Sequence, residues 1–224
     1  MPSRTLNRVL WVGVLVLIAV LAVKSRDTFD NVFMGVGKLD VRDAPDSDTV
    51  VLTWRGQIEA PMARRIGDAF ERYASERRTF VLSLSSPGGS LAHGAEVVRL
   101  LQKIGEAHSL ETRVEAGRLC ASMCVPVYLQ GQRRTASPDA KFMFHEVSFR
   151  DFFAKDGSEI SDAAKGSATD RLFAKYFTPA GVPDAWIRKV RADMAGGNDV
   201  WKTARELIVE NANIVQAARE LKNP

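Results

Sequence analysis

Thr79-Phe-Val-Leu-Ser-Leu84 is a β-rich run broken by one small polar residue, and it stops abruptly in Ser85-Ser-Pro-Gly-Gly89. An amphipathic pattern follows at once, with Ala95, Val98, Leu101 and Ile104 on one helical face. A strand apolar on both sides belongs inside a parallel sheet, and a parallel neighbour can be reached only through a crossover, usually a helix. The same alternation recurs along the chain. Thr49 to Trp54 is a β-rich run stopped by Arg55-Gly56, and Pro61 opens a helix with Met62, Ile66, Ala69, Phe70 and Tyr73 at helical spacing. Thr112 to Ala116 reads as a third strand, 122–129 as a short apolar helix, and Lys141 to His145 as a strand after a Ser137-Pro-Asp turn. Helices are expected near 167–178, 183–194 and 201–211, with a charged, poorly periodic excursion at 150–165. The pattern predicts an α/β fold with a parallel sheet and outer helices.

One stretch lies outside this alternation. Val9 to Val23 is 15 residues without a charge, preceded by Arg4 and Arg8 and followed by Lys24 and Arg26. It predicts an N-terminal hydrophobic helix, either a short anchor or a signal peptide. The anchor is favoured, because Val20-Leu21-Ala22 is a poor match to the small-residue pattern of a cleavage site. Either way the basic N-terminus stays in the cytoplasm and the body is exported. The expected location is therefore the inner membrane, single-pass with the domain on the periplasmic side, or the periplasm itself after cleavage. The chain divides into 1–26 (anchor or signal peptide), 27–48 (linker with at most a short strand), 49–216 (the α/β domain) and 217–224 (tail). Residues 1–30 carry four Lys/Arg and two acids, which leaves the rest at +2 of the chain's +4. So small a charge is no footprint for nucleic acid.

Three loop features could carry chemistry: Gly88-Gly89 after a strand, Ser122 at a strand-to-helix turn, and His145 at a strand end. Each lies at a strand's carboxyl end, where α/β folds put their reactive groups. A serine hydroxyl needs a base within hydrogen-bond reach and donors for the oxyanion it creates. Backbone N–H groups at a helix start are free for that role, and paired glycines let backbone approach a substrate closely. Taken singly, Ser122 reads as a helix cap, the glycines as a turn and His145 as a packed histidine. His93, just inside the helix after the glycines, reads as structural, and His108 as solvated. The three histidines make no metal-binding spacing, and neither metal nor cofactor is expected.

The blocks Val51 to Ile58, Ser85-Ser-Pro-Gly-Gly-Ser90, Ala121-Ser-Met123 and Phe142-Met-Phe-His145 together resemble the Clp protease proteolytic subunit, in that family's order and at nearly its spacing. The resemblance covers about 48–215. It implies a ClpP/crotonase-type layered α/β spiral, and a serine endopeptidase with a Ser-His-Asp triad that cleaves peptides or unfolded segments through an acyl-enzyme. Ser122 matches the nucleophile and His145 the general base. Gly89 and Met123 match the backbone donors of the oxyanion hole, with Gly88 shaping the turn. Asp199, in Asp199-Val-Trp-Lys-Thr-Ala204, matches the third member, which holds the histidine in its productive tautomer. Asn198 and Asp193 are nearby alternatives. A homo-oligomer is also implied.

The chain departs from the family at several points. Cys120 and Cys124 bracket Ser122 where the family has small residues. In an oxidising compartment they could pair and staple the turn, or stay two buried thiols. Pro126 falls inside the following helix, tolerable within a first turn. The segment 147–165 lacks the family's glycine-rich strand, which argues against a closed double ring. An exported domain meets no ATP pool, which argues against an ATPase partner. Rival readings are a non-catalytic scaffold or peptide-binding protein on the same fold, a Ser-Lys peptidase and, last, acyl-CoA chemistry of the crotonase type.

Overall fold

Strand β3 (Thr79–Ser85) is the spine of the molecule, with all five of its inner residues buried. This computed structural model describes residues 37–43, 48–147 and 161–219, so the apolar run at 9–23 lies outside the described residues. No helix among the described residues is long and apolar enough to cross a membrane. Around β3 lies a six-stranded sheet in the order β1-β2-β3-β4-β6-β9. Its strands are β1 (Lys38–Asp43), β2 (Thr49–Arg55), β4 (Ser109–Val114), β6 (Arg133–Ala136) and β9 (Ala217–Ala218). Every pairing is parallel except β1 with β2.

Helices α1 (Pro61–Tyr73) and α2 (Leu91–Ala107) are the crossovers that parallel pairing demands. Pro61 starts α1, where its missing N–H costs nothing, and Met62, Ile66 and Ala69 are buried. Ser90 caps α2 by accepting from the His93 N–H, and Gly94, Val97, Val98, Leu101 and Ile104 form its buried face, with Ala95 only half-buried. Trp54, Phe80, Leu82, Leu84 and Ile66 meet in the core beneath them.

A second sheet of three strands holds the other half of the site. In it β7 (Lys141–Phe144) pairs in parallel with β5 (Leu119–Ala121) and antiparallel with β8 (Val200–Thr203). Helix α3 (Cys124–Tyr128) follows β5, and α4 (Asp162–Tyr176), α5 (Asp184–Met194) and α6 (Ala204–Val209) complete the chain. The two sheets touch where Ser86, just past β3, bridges to Cys120 on β5.

Several expectations shift. Strand β1 is the short strand allowed for in the stretch read as a linker, and β9 pairs with β6 beyond residue 216. The third strand runs 109–114 rather than 112–116; Glu115 is buried just past it, accepting from the Ser83 hydroxyl at 2.9 Å. The helix expected at 201–211 is instead strand β8 followed by α6. Thr203 caps α6 in a reciprocal pairing with Glu206, the Thr-x-x-Glu signature of a helix start. Strand β6 escaped notice because it reads Arg-Arg-Thr-Ala. Arg134 is nonetheless buried, donating to the carbonyls of Ile214, Asn213, Ala180 and Gly131, which ties the C-terminal segment to the sheet. Burial pushes the Arg134 guanidinium down from its ordinary pKa, and pushes the neighbouring Tyr128 phenol up.

Candidate active site

Ser122 and Met123 form the two-residue turn between β5 and α3, and Ser122 takes a φ of 53°. A serine in this left-handed region costs roughly 1–3 kcal/mol, and such outliers cluster at functional sites. The surroundings hold it there. Its N–H donates to the Met143 carbonyl on β7, and its carbonyl accepts from the Val125 N–H in α3. The hydroxyl is half-buried and hydrogen-bonded to His145 Nε2 at 2.8 Å. Serine and histidine, separated by 23 positions, meet because β5 and β7 are parallel neighbours whose carboxyl ends lie side by side.

His145 follows the last residue of β7, and its segment is fastened on the far side. The Val147 N–H donates to the buried Thr169 hydroxyl of α4 at 2.8 Å. Arg191 of α5 lies 3.6 Å from Glu146, and also pairs with Asp170 and donates to the Gly166 carbonyl. Neither Thr169 nor Arg191 drew attention in the sequence, since nothing in their local pattern refers to residue 145.

The glycine turn closes the site from the third side. Gly88 and Gly89 adopt φ of 99° and 150°, conformations closed to other residues without strain. A Cβ on Gly88 would stand 2.8 Å from the Cβ of Ser122, and one on Gly89 would collide with the Ile58 backbone. Ile58 instead grips the turn, donating to the Gly88 carbonyl and accepting from the Ser90 N–H. The N–H groups of Gly89 and Met123 donate to no described residue, and flank the nucleophile from the glycine turn and from the start of α3. These are the two donors named from the sequence.

Asp199 is less intimately placed. The β7–β8 ladder pairs Phe144 with Val200, so its continuation sets Asp199 opposite His145. Cross-strand neighbours put their Cβ atoms roughly 5 Å apart on one face. Asp199 is exposed, however, and makes no hydrogen bond to His145, so the structure contains a bonded Ser-His pair with the carboxylate beside it. Asn198 donates to the Ala195 carbonyl, and Asp193 is exposed on α5.

Cys120 and Cys124 form a disulfide, both fully buried. Pro126 is the third residue of α3, where its missing N–H removes no bond. His93 sits 3.6 Å from Glu96 in the first turn of α2. His108 differs from expectation: it is wedged edge-on against Phe70 and Phe80, with Nδ1 on the Arg77 carbonyl. Among the described residues no cluster of His, Cys, Asp or Glu could hold a metal ion.

Beside the pair opens a cavity of about 320 Å³. Gly89, Ser122 and His145 line its mouth, and its walls include Met123, Pro126, Val147, Leu172, Phe173 and Phe177. Among the described residues, none that lines it is an acid, a lysine or an arginine.

No family model and no curated protein matches this chain. Solved structures do. A ClpP1 mutant from Listeria monocytogenes is similar to it with a TM-score of 0.56 at 19% identity, over 79% of this chain and 94% of that one. The chain thus has a ClpP-like fold, a class that joins a parallel-containing sheet to outer helices.

Proposed function

We propose that the protein is a serine endopeptidase that cleaves peptides or unfolded protein segments through an acyl-enzyme on Ser122. The observation that carries this reading is the 2.8 Å hydrogen bond between the Ser122 hydroxyl and His145 Nε2. As Ser122 Oγ attacks the carbonyl carbon, its proton passes to His145 Nε2. The oxyanion accepts from the Gly89 and Met123 N–H groups, donors fixed before the substrate arrives. His145 then returns the proton to the leaving amine, and water repeats the sequence to free the acid. Asp199, which continues the β7–β8 register toward His145, would stabilise the charged ring once drawn onto it. The apolar walls given by Met123, Pro126, Leu172, Phe173 and Phe177 fit an apolar side chain on the residue whose carbonyl is attacked. The chain works as a homo-oligomer, anchored through 9–23 with its domain on the periplasmic side of the inner membrane.

The full-length chain should be labelled by a fluorophosphonate probe, and Ser122→Ala should abolish the label. Equal labelling of Ser122→Ala would remove Ser122 from the role of nucleophile. A wild-type protein that neither labels nor cleaves unfolded casein would instead support a peptide-binding scaffold.

A further inference from the structure

We infer that the Cys120–Cys124 disulfide is a positioning brace for the nucleophile, and that the site is assembled only while this bond is closed. Its link to catalysis rests on the serine-hydrolase reading; its link to geometry does not.

The bond joins the middle residue of β5 to the first residue of α3, across four positions, with Ser122 at the centre. The serine, its turn and one of the two oxyanion donors are therefore inside the ring the bond closes, while His145 and Gly89 lie outside it. Ala121 ends the strand, Ser122 takes the left-handed turn and Met123 offers the oxyanion N–H. Cys120 is fixed independently, by its parallel register with Phe142 and its bridge to Ser86. Cys124 is not; α3 is only five residues long and contains a proline, so its own hydrogen bonds hold its first residue weakly. The disulfide carries the rigidity of the sheet across to that helix.

The left-handed turn and the bond reinforce one another, alongside the hydrogen bonds of Ser122 to the Met143 carbonyl and the Val125 N–H. Residues four apart must come within disulfide reach, and the Cα atoms of 120 and 124 are 5.2 Å apart because the chain doubles back at Ser122. Conversely, a serine relaxing to an ordinary negative φ would swing Oγ off His145 and turn the Met123 N–H away together. A disulfide closing so short a loop removes little entropy from the unfolded chain, so global stability does not account for it. Both sulfurs are wholly buried, so this is no surface staple. Two thiols need more room than two bonded sulfurs, and in a close-packed interior that room comes from moving α3 away from β5.

The test uses the full-length chain and two routes to the open state. One is the double variant Cys120→Ala/Cys124→Ala. The other is wild type treated with dithiothreitol, which supplies two electrons and two protons to give two thiols, and is then reoxidised with glutathione disulfide. Fluorophosphonate labelling should slow at least tenfold in both, and recover on reoxidation. With a peptide substrate the loss should fall on kcat rather than KM, with the melting temperature lowered by only several degrees. Labelling at the wild-type rate in the double variant or the reduced protein overturns the brace. A crystal structure of the double variant provides a readout without turnover: Ser122 should leave positive φ and lose its bond to His145. A Ser122 unmoved in that structure overturns the brace whether or not the protein is active. Failure of the oxidised wild type to label counts against the hydrolase reading alone, and the crystallographic comparison then decides the brace.

Discussion

The two halves of the site are held by different physics. On the nucleophile side, a left-handed serine, a buried disulfide and two glycines packed against neighbouring backbone leave almost no freedom. On the histidine side the restraints are single polar contacts: Val147 to Thr169, Glu146 to Arg191, and the Ser122 bond itself. Asp199 stands one step past the end of its ladder, exposed and without a bond to the ring. Ser122 and the N–H groups of Gly89 and Met123 are thus preset, whereas His145 and Asp199 are adjustable. Covalent closure gives the first side its rigidity, though a five-residue loop adds only about 2 kcal/mol to global stability by chain entropy.

That contrast can be broken at graded points. The largest effect is expected at the one group both halves share. On the serine-peptidase reading, His145→Ala should lower the rate by about a million-fold, as loss of the base in a Ser-His site does. Retention of more than a hundredth of the activity would mean another group takes the proton.

Gly88→Val comes next. Its side chain would press on Ser122 and force φ of 99° on a β-branched residue. A displacement of this kind should cost about 100-fold in kcat. An unaffected rate would show the rigid side to be more compliant than its packing implies.

Asp199→Asn probes the adjustable side, and here the expected loss is smaller. With no bond to the ring at rest, about tenfold is expected, against the roughly 10,000-fold that a bonded triad carboxylate is worth. A loss near the larger figure would show that substrate draws Asp199 onto His145.

The smallest effect concerns the anchoring of β8. Glu210 is partly desolvated, which alone would raise its pKa, but Lys202, Trp186 and Lys189 all donate to it and hold the carboxyl down at about 2, against an ordinary 4.5. Since the folded value lies below the unfolded one, the unfolded chain binds the extra proton between these limits. The stabilisation is present above about pH 4.5 and disappears as pH falls toward 2. Thermal melts of Glu210→Gln should lie a few degrees below wild type at pH 6 and converge with it near pH 2. A constant difference across that range would remove the ionic clamp on the strand leading to Asp199.

How much of this was legible depended on the distance over which each feature is determined. The Gly-Gly turn was readable because a fixed backbone shape demands glycine there. Ser122 and His145 were readable as separate loop residues, and a family resemblance paired them. By its local pattern the segment near 201–211 reads as a helix, whereas its first residues belong to strand β8. Pairing with β7 overrode that periodicity, and the Thr203–Glu206 capping signature, overlooked in the sequence, marks where the helix in fact begins. His108 was read as solvated from its polar neighbours in sequence, whereas two distant phenylalanines enclose it.

The sequence by itself determined the alternation of buried strands and amphipathic crossovers, and with it a parallel α/β sheet whose loops collect at the strands' carboxyl ends. Those are consequences of local periodicity and of what glycine and proline allow. Tertiary structure alone decided which loops meet. It put His145 on Ser122, paired Cys120 with Cys124, and set Asp199 opposite the histidine without a bond. Each of these depends on register between segments distant in sequence, or on one residue's sign of φ, and neither is encoded in the composition of the segment that carries it.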